Sequence, residues 1–310
     1  MSNPQEELMV QIAWMYYEDG LTHQVIADKL NKSRVSITRL LQRAREEGIV
    51  QVQILKPLPY RFELKRHLQA KYELEDAIIT ESHSDFEKTL DGIGMAGANH
   101  LFSVLEPGIR LGFGWGSTVS RMAPYLNVPP KKTVCKVNDL AGNMLGQVNP
   151  YSISSKVAEV LSAPYQPLSM PVILQSSAAR DAILSEPVVR KAYDNAQKCD
   201  AAFVGLGFPS QEATLKDMGY YTSEQMDAIQ KQGAVGDILM RYYDSDGCQV
   251  PTFLDERVMA LKWDEIGRIP HVVVLAAGES MVPPIRGILK ANICHCLITD
   301  VDTAKKLLEE

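Results

Sequence analysis

Apolar side chains recur at the spacing of one helix face in the opening stretch: Leu8, Met9, Ile12, Trp14, Met15 and Tyr16 lie between Gln5 and Tyr17, and Asp19-Gly20 supplies a stop. Thr22 can cap a second helix with Val25, Ile26 and Leu30 turned inward. Asn31-Lys32 makes a turn, and Ser33 can cap a third helix that runs through Glu47 and closes at Gly48. From Ile49 to Leu55 apolar and polar residues alternate, which predicts a half-buried strand, and Lys56-Pro57-Leu58-Pro59 reads as a linker. Beyond it the pattern predicts helix 60–72, strand 76–80, helix 85–104, strand 109–113, helix 117–125, strand 133–140 and helix 152–163. The β-rich runs DAAFVGLG, GDILMRYYD, HVVVLAA and CHCLITD continue the alternation. Strands alternating with helices imply a largely parallel sheet covered on both faces. The fold class expected is α/β: a small all-α helix-turn-helix domain over 1–56, followed by a Rossmann-like parallel-sheet domain over 57–310.

Charge sharpens the reading of the first domain. The chain carries a formal net charge of -6, which alone argues against a nucleic-acid partner. Yet between Leu21 and Arg45 six basic residues, Lys29, Lys32, Arg34, Arg39, Arg43 and Arg45, face only Asp28. Small Ala27 allows the second helix to approach the third, and Ile26, Leu30, Val35, Ile37 and Leu40 can fill the space between them. That arrangement frees the N-terminal face of the third helix for a major groove. Arg34, Ser36, Thr38 and Arg39 are the candidates for base edges. Thr22, Ser33 and Arg43, with Arg45 further along, suit phosphates. The competing interpretation is a helical hairpin with a solvated basic face.

The remaining composition, 45% hydrophobic and 23% charged, is that of an ordinary globular chain. The opening MSNPQEELMV lacks the basic start and apolar run of a signal peptide, and no stretch reaches about eighteen uncharged apolar residues, so a cytoplasmic protein without membrane contact is expected. The five cysteines, Cys135, Cys199, Cys248, Cys294 and Cys296, are scattered and include no CxxC pair. Their spacing indicates neither a disulfide framework nor a metal site, and no cofactor is expected.

The segment LTHQVIADKLNKSRVSITRLLQRAREEGIVQVQI, then GFGWGSTV, GAVGDILMRYYDSDG, DERVMALKWDEIGRIPHVVVLAAGES and CHCLITD, occur in an order that resembles the SorC family of bacterial sugar-sensing transcriptional regulators. The resemblance covers essentially the whole chain. It implies an effector domain related in fold to sugar-phosphate isomerases and glucosamine-phosphate deaminases, assembly as a homodimer or homotetramer, and operator DNA as partner. It also implies control of carbohydrate or polyol operons through a small sugar, polyol or sugar phosphate.

Ligands of parallel sheets bind where strand ends lead into helices. Gly114, Trp115, Gly116, Ser117 and Thr118 stand at such a place, where glycines admit a ligand close to the backbone and the hydroxyls can bond it. Gly142 and Asn143, Gly205, and Asp237 after Gly233-Ala234-Val235-Gly236 lie in further turns that could converge there. Gly278 and Glu279 follow the penultimate strand. Each could equally be a tight turn with a satisfied polar group. Where the family often carries a phosphate-binding lysine after those glycines, this chain has Met281. The departure favours an unphosphorylated sugar or polyol, with Arg286 or Lys290 as possible substitutes for the missing cation.

A sugar-phosphate isomerase or deaminase-like enzyme with an accessory DNA-binding domain is the alternative. Asp139, Asp237, Asp255 and Glu256 are its candidate acids, but no spacing pairs one of them with any of the six histidines, His23, His67, His83, His100, His271 and His295. GFGWGS lacks the further glycine and the later acid of a dinucleotide fingerprint. No catalytic residue is therefore assigned, and a non-enzyme is expected.

Overall fold

The computed structural model describes residues 4–50, 59–127, 134–143, 152–209 and 221–309. The chain forms two compact units, Met1–Leu58 and Pro59–Glu310, two residues past the boundary read from the sequence. The strand expected at 49–55 and most of the linker lie outside the described residues.

The small unit holds α1 (Pro4–Tyr17), α2 (His23–Lys29) and α3 (Arg34–Glu46). Thr22 Oγ1 accepts from the Val25 amide at 3.4 Å, and Ser33 Oγ accepts from the Ser36 amide at 3.1 Å, so both predicted caps form. Asn31 adopts a left-handed φ of 51° and turns the chain between them. Ile12, Ala13, Ile26, Ala27, Ile37 and Leu41 make the core. Trp14, Val25 and Val35, apolar positions of the helical pattern, do not join it. Val25 is 40% exposed, Val35 62% and Trp14 63%, because the first turn of each later helix and the outer face of α1 point away from the shared contact.

The large unit is built on a seven-stranded sheet in the order β1-β9-β8-β5-β2-β3-β4, parallel throughout. Its strands are β1 (Asp76–Thr80), β2 (Arg110–Phe113), β3 (Lys136–Asp139), β4 (Tyr165–Gln166), β5 (Ala201–Gly205), β8 (His271–Leu275) and β9 (Cys296–Asp300). β5, β8 and β9 are apolar and buried almost throughout, as central strands covered on both faces must be. Alternate residues separate into two cores: Ala202, Val204, Val272 and Val274 belong to one, and Ala201, Phe203, Val273 and Leu275 to the other. The helices are α4 (Tyr60–Tyr72), α5 (Phe86–Ser103), the single turn α6 (Ser117–Ser120), α7 (Ser154–Leu161), α8 (Ser177–Ser185), α9 (Pro187–Ala196), α10 (Ser223–Lys231), α11 (Trp263–Ile266), α12 (Val282–Lys290) and α13 (Val301–Leu308).

The run GDILMRYYD does not add a strand to the parallel sheet. It folds on itself as an antiparallel hairpin, β6 (Gly236–Ile238) and β7 (Arg241–Tyr243). Leu239 and Met240 take φ values of 51° and 61°, the turn geometry that matches strand twist and that the apolar sequence conceals. Arg241 is 2% exposed, and its guanidinium donates to the carbonyls of Asp255, Ala260 and Leu261 and pairs with the Asp255 carboxylate at 3.1 Å. A buried cation with four hydrogen bonds, at least one from each guanidinium nitrogen, fixes the hairpin to the chain that follows it.

α5 lies flush on its neighbours through glycine. A methyl at Gly94 would stand 2.2 Å from the Arg121 carbonyl oxygen, and one at Gly97 2.6 Å from Leu275. Alanine normally favours a helix interior over glycine by about 1 kcal/mol, but here the clash is with backbone. Gly94→Ala is expected to lower the urea midpoint by a destabilisation of about 1–3 kcal/mol, and an unchanged or raised midpoint would contradict the close approach.

Candidate functional site

The strand order reverses between β2 and β5: from β2 the chain moves outward to β3 and β4, and from β5 it moves the other way to β8 and β9. Helices and loops leave the two carboxyl ends in opposite directions, which opens a crevice there. A cavity of about 280 Å³ occupies that position, lined by Trp115 to Thr118, Ala141, Gly205 to Phe208, Tyr221, Asp237, Leu239, Met240 and Tyr242.

Six predicted residues line the cavity: Trp115, Gly116, Ser117, Thr118, Gly205 and Asp237. Trp115 is fixed by an Nε1 hydrogen bond to the Gly142 carbonyl at 2.9 Å, so its indole forms a rigid wall. Gly142 thus acts behind the wall. Asn143 is bridged to Pro171, its amide donating to the Met170 carbonyl. Gly114 lies under the floor, where a methyl would stand 2.8 Å from Leu239. Gly278 and Glu279 are not among the lining residues. The Gly278 amide donates to Thr303 Oγ1, and Glu279 pairs with Lys306, so both serve the packing of α13.

The hairpin brings in what the linear pattern could not place. Asp237 exchanges two backbone hydrogen bonds with Gly207, 2.9 and 3.0 Å, which ties the hairpin to the end of β5. A methyl on Gly207 would stand 2.2 Å from Asp237 Oδ1, so glycine is required for the carboxylate to lie where it does. Oδ2 accepts from the Met240 amide at 3.0 Å, while Oδ1 has no donor among the described residues. Burial pushes this carboxyl up from 3.8 to about 6, and the single Met240 amide only partly offsets it. Tyr221 and Tyr242, hydrogen-bonded to each other, and Leu239 and Met240 were not singled out from the sequence. Their signal lay only in nearness to Asp237.

None of the described lining residues is a lysine, arginine or histidine. Arg286 caps the end of α13 by donating to the Lys306 and Glu309 carbonyls, and Lys290 pairs with Asp246 at 3.0 Å. Met281 packs on the core. Of the other candidate acids, Asp139 accepts from the Tyr165 hydroxyl and the Leu168 amide, and Asp255 holds Arg241.

In the small unit, Arg34 and Arg39 are exposed on α3 and have no partner among the described residues. Ser36 is half-buried. The Thr38 hydroxyl donates to the Arg34 carbonyl and lies 3.1 Å from His23 Nδ1, which joins α3 to α2. Arg43 pairs with Glu47 at 2.5 Å, and Arg45 donates to the Tyr17 hydroxyl at 2.7 Å, bracing α3 against α1. The basic face therefore divides into two free arginines at its N-terminal part and two tethered ones near its end.

A family model, Sugar-bind, described as "Putative sugar-binding domain", matches residues 57–309. The chain is 28% identical over 307 residues to the sorbitol operon regulator of Klebsiella pneumoniae, covering 97% of this chain and 98% of that one. It is 26% identical over 313 residues to the deoxyribonucleoside regulator of Bacillus subtilis (strain 168), covering the whole of both. The crystal structure of the full-length Klebsiella pneumoniae regulator superposes with a TM-score of 0.76 at 28% identity, covering 100% of each chain. No described helix is long and apolar enough to cross a membrane.

Asp237 binds its proton more tightly in the folded chain than the ordinary value of 3.8. Its burial therefore costs nothing below about pH 4 and progressively more as pH rises to about 6, remaining constant above. Asp237→Asn is expected to stabilise the ligand-free protein by about 2 kcal/mol at pH 7 and to leave it unchanged near pH 4. Urea denaturation at the two pH values checks this, and an equal effect at both would refute the buried carboxylate.

Proposed function

The chain belongs to the SorC family of sugar-binding transcriptional regulators, and on that premise we propose that it represses or activates a carbohydrate or polyol operon under control of a small sugar-type effector. The observation that carries the reading is the pairing of an exposed, unpartnered Arg34 and Arg39 on a capped third helix with a cavity at the strand-order reversal. It is a regulator rather than an enzyme: the relatives it matches are named regulators, and the described cavity wall holds one carboxylate and no histidine to pair with it.

Arg34 and Arg39 contact bases, Thr22 and Ser33 present helix N-termini to phosphates, and Arg43 tracks the backbone. Exposed Val35 adds an apolar contact for a thymine methyl. A homodimer or homotetramer places two third helices about one DNA turn, or a multiple of it, apart.

The effector lies with an apolar C–H face on Trp115 and a hydroxyl donating to Asp237 Oδ1, within reach of Ser117 and Thr118. With Arg286 and Lys290 engaged elsewhere and Met281 packed against the core, the described wall offers no cation to a phosphate, which supports an unphosphorylated sugar or polyol. Effector and operator are linked through differential affinity for two arrangements of the protomers, a coupling of about 1–3 kcal/mol.

The test is an anisotropy titration of the full-length protein on its own upstream DNA at fixed salt, with a panel of sugars, polyols and their phosphates. Specific binding shifted by a neutral compound is expected. Arg39→Ala should weaken binding about 5- to 150-fold, the equivalent of 1–3 kcal/mol. Asp237→Ala should abolish the effector response and spare DNA binding. Absence of DNA binding even at low salt, where phosphate contacts are strongest, would overturn the reader. A response confined to phosphorylated compounds would overturn the neutral effector.

A further inference from the structure

At the opposite end of the sheet from the cavity, the first residues of three adjacent strands come together. Asp76 opens β1, Cys296 opens β9 in register beside it, and His271 opens β8 on the far side of β9. His100, in the last turn of α5, reaches the same place. Ligand atoms of Asp76, His100 and Cys296 all lie within 4.8 Å of one another, and His100 Nε2 stands 3.1 Å from His271 Nε2. We propose that Asp76, His100 and Cys296 form a binding site for a divalent ion of the zinc class, with His271, held against His100, supplying the fourth ligand when its ring turns toward the other three.

The donor chemistry is that of zinc: two imidazoles, one thiolate and one carboxylate. With zinc–nitrogen bonds of about 2.0–2.1 Å, two nitrogens on one tetrahedral ion lie about 3.3 Å apart. The His100–His271 separation is already close to that, and the Asp76 and Cys296 donors lie within 4.8 Å of the His100 donor. Glu75 supplies an independent feature of such sites. Its carboxylate lies 3.2 Å from His271 Nδ1, the placement that fixes the proton on Nδ1 and leaves the Nε2 lone pair directed at His100. In this contact one ring nitrogen donates and the other accepts.

Charge balances as well. The ion's two positive charges meet the Cys296 thiolate and the Asp76 carboxylate, at the cost of one thiol proton released on binding. In the metal-free chain Lys65 of α4 pairs with Asp76 and provides the compensating charge. Metal and Lys65 therefore compete for one carboxylate at the base of the first helix of the large unit. Cys296 is fully buried, whereas Cys248, the exposed cysteine, lies elsewhere in sequence and environment and serves as a control.

Full-length protein, treated with chelator and then titrated with Co²⁺, is expected to bind one equivalent with a thiolate-to-cobalt charge-transfer band that Zn²⁺ displaces. Cys296→Ser removes that band, and Cys248→Ser leaves it. His271→Gln, at a half-buried position that tolerates an amide, weakens Co²⁺ binding about ten-fold or more with an unaltered far-ultraviolet circular dichroism spectrum, so the test stands even if the buried Cys296→Ser variant does not fold. No saturable binding at micromolar protein, a band lost with Cys248→Ser, or affinity unmoved by His271→Gln would overturn the site.

Discussion

The parallel pairing of β2 with β5 is the constraint on which the large unit depends. Those two strands adjoin in space but are separated in sequence by β3, β4 and the helices between them, so the chain must leave their carboxyl ends in opposite directions. No helix can cover the gap, and the cavity is what remains. Most of what lines it is then explained by reach. The turn after β2 brings Trp115 to Thr118, the end of β5 brings Gly205 to Phe208, and the hairpin hydrogen-bonded to Gly207 brings Asp237.

That hairpin is held by an arrangement costly to build. Arg241 is withdrawn from water and satisfied by three carbonyls and one carboxylate, a set that disappears if any one segment moves. The benefit is a carboxylate kept at a fixed point on the cavity wall, with Oδ1 given no donor among the described residues, so that a ligand hydroxyl can offset part of the cost of its burial. A site that is strained in this way when free has a reason to discriminate between liganded and unliganded arrangements. Regulation requires that difference in affinity.

The small unit distributes its basic residues by the same logic of satisfied and unsatisfied groups. Arg43 and Arg45 are used to stiffen α3 through Glu47 and Tyr17, while Arg34 and Arg39 stay solvated. Counting arginines gives the field of the segment but not this division, which depends on where Tyr17 falls when α1 packs across α3.

Local signals along the chain determined most of the architecture. Caps at Thr22 and Ser33, the apolar runs HVVVL and CLITD, and glycines after β2 and β5 each act within a few residues, so periodicity and turn chemistry suffice to read them. The same signals singled out Trp115, Ser117, Thr118, Gly205 and Asp237. Tertiary structure decided what depends on partners distant in sequence. It turned GDILMRYYD into a hairpin through two left-handed residues with no glycine between them, left Val25 and Val35 outside the helical core, and assigned Gly278 and Glu279 to α13. It also gathered Asp76, His100, His271 and Cys296, scattered over more than two hundred residues, at the end of the sheet where β1, β8 and β9 begin. The reason is physical: a parallel sheet aligns strand ends irrespective of their order in the chain, so proximity there is set by pairing and register, which no local pattern encodes.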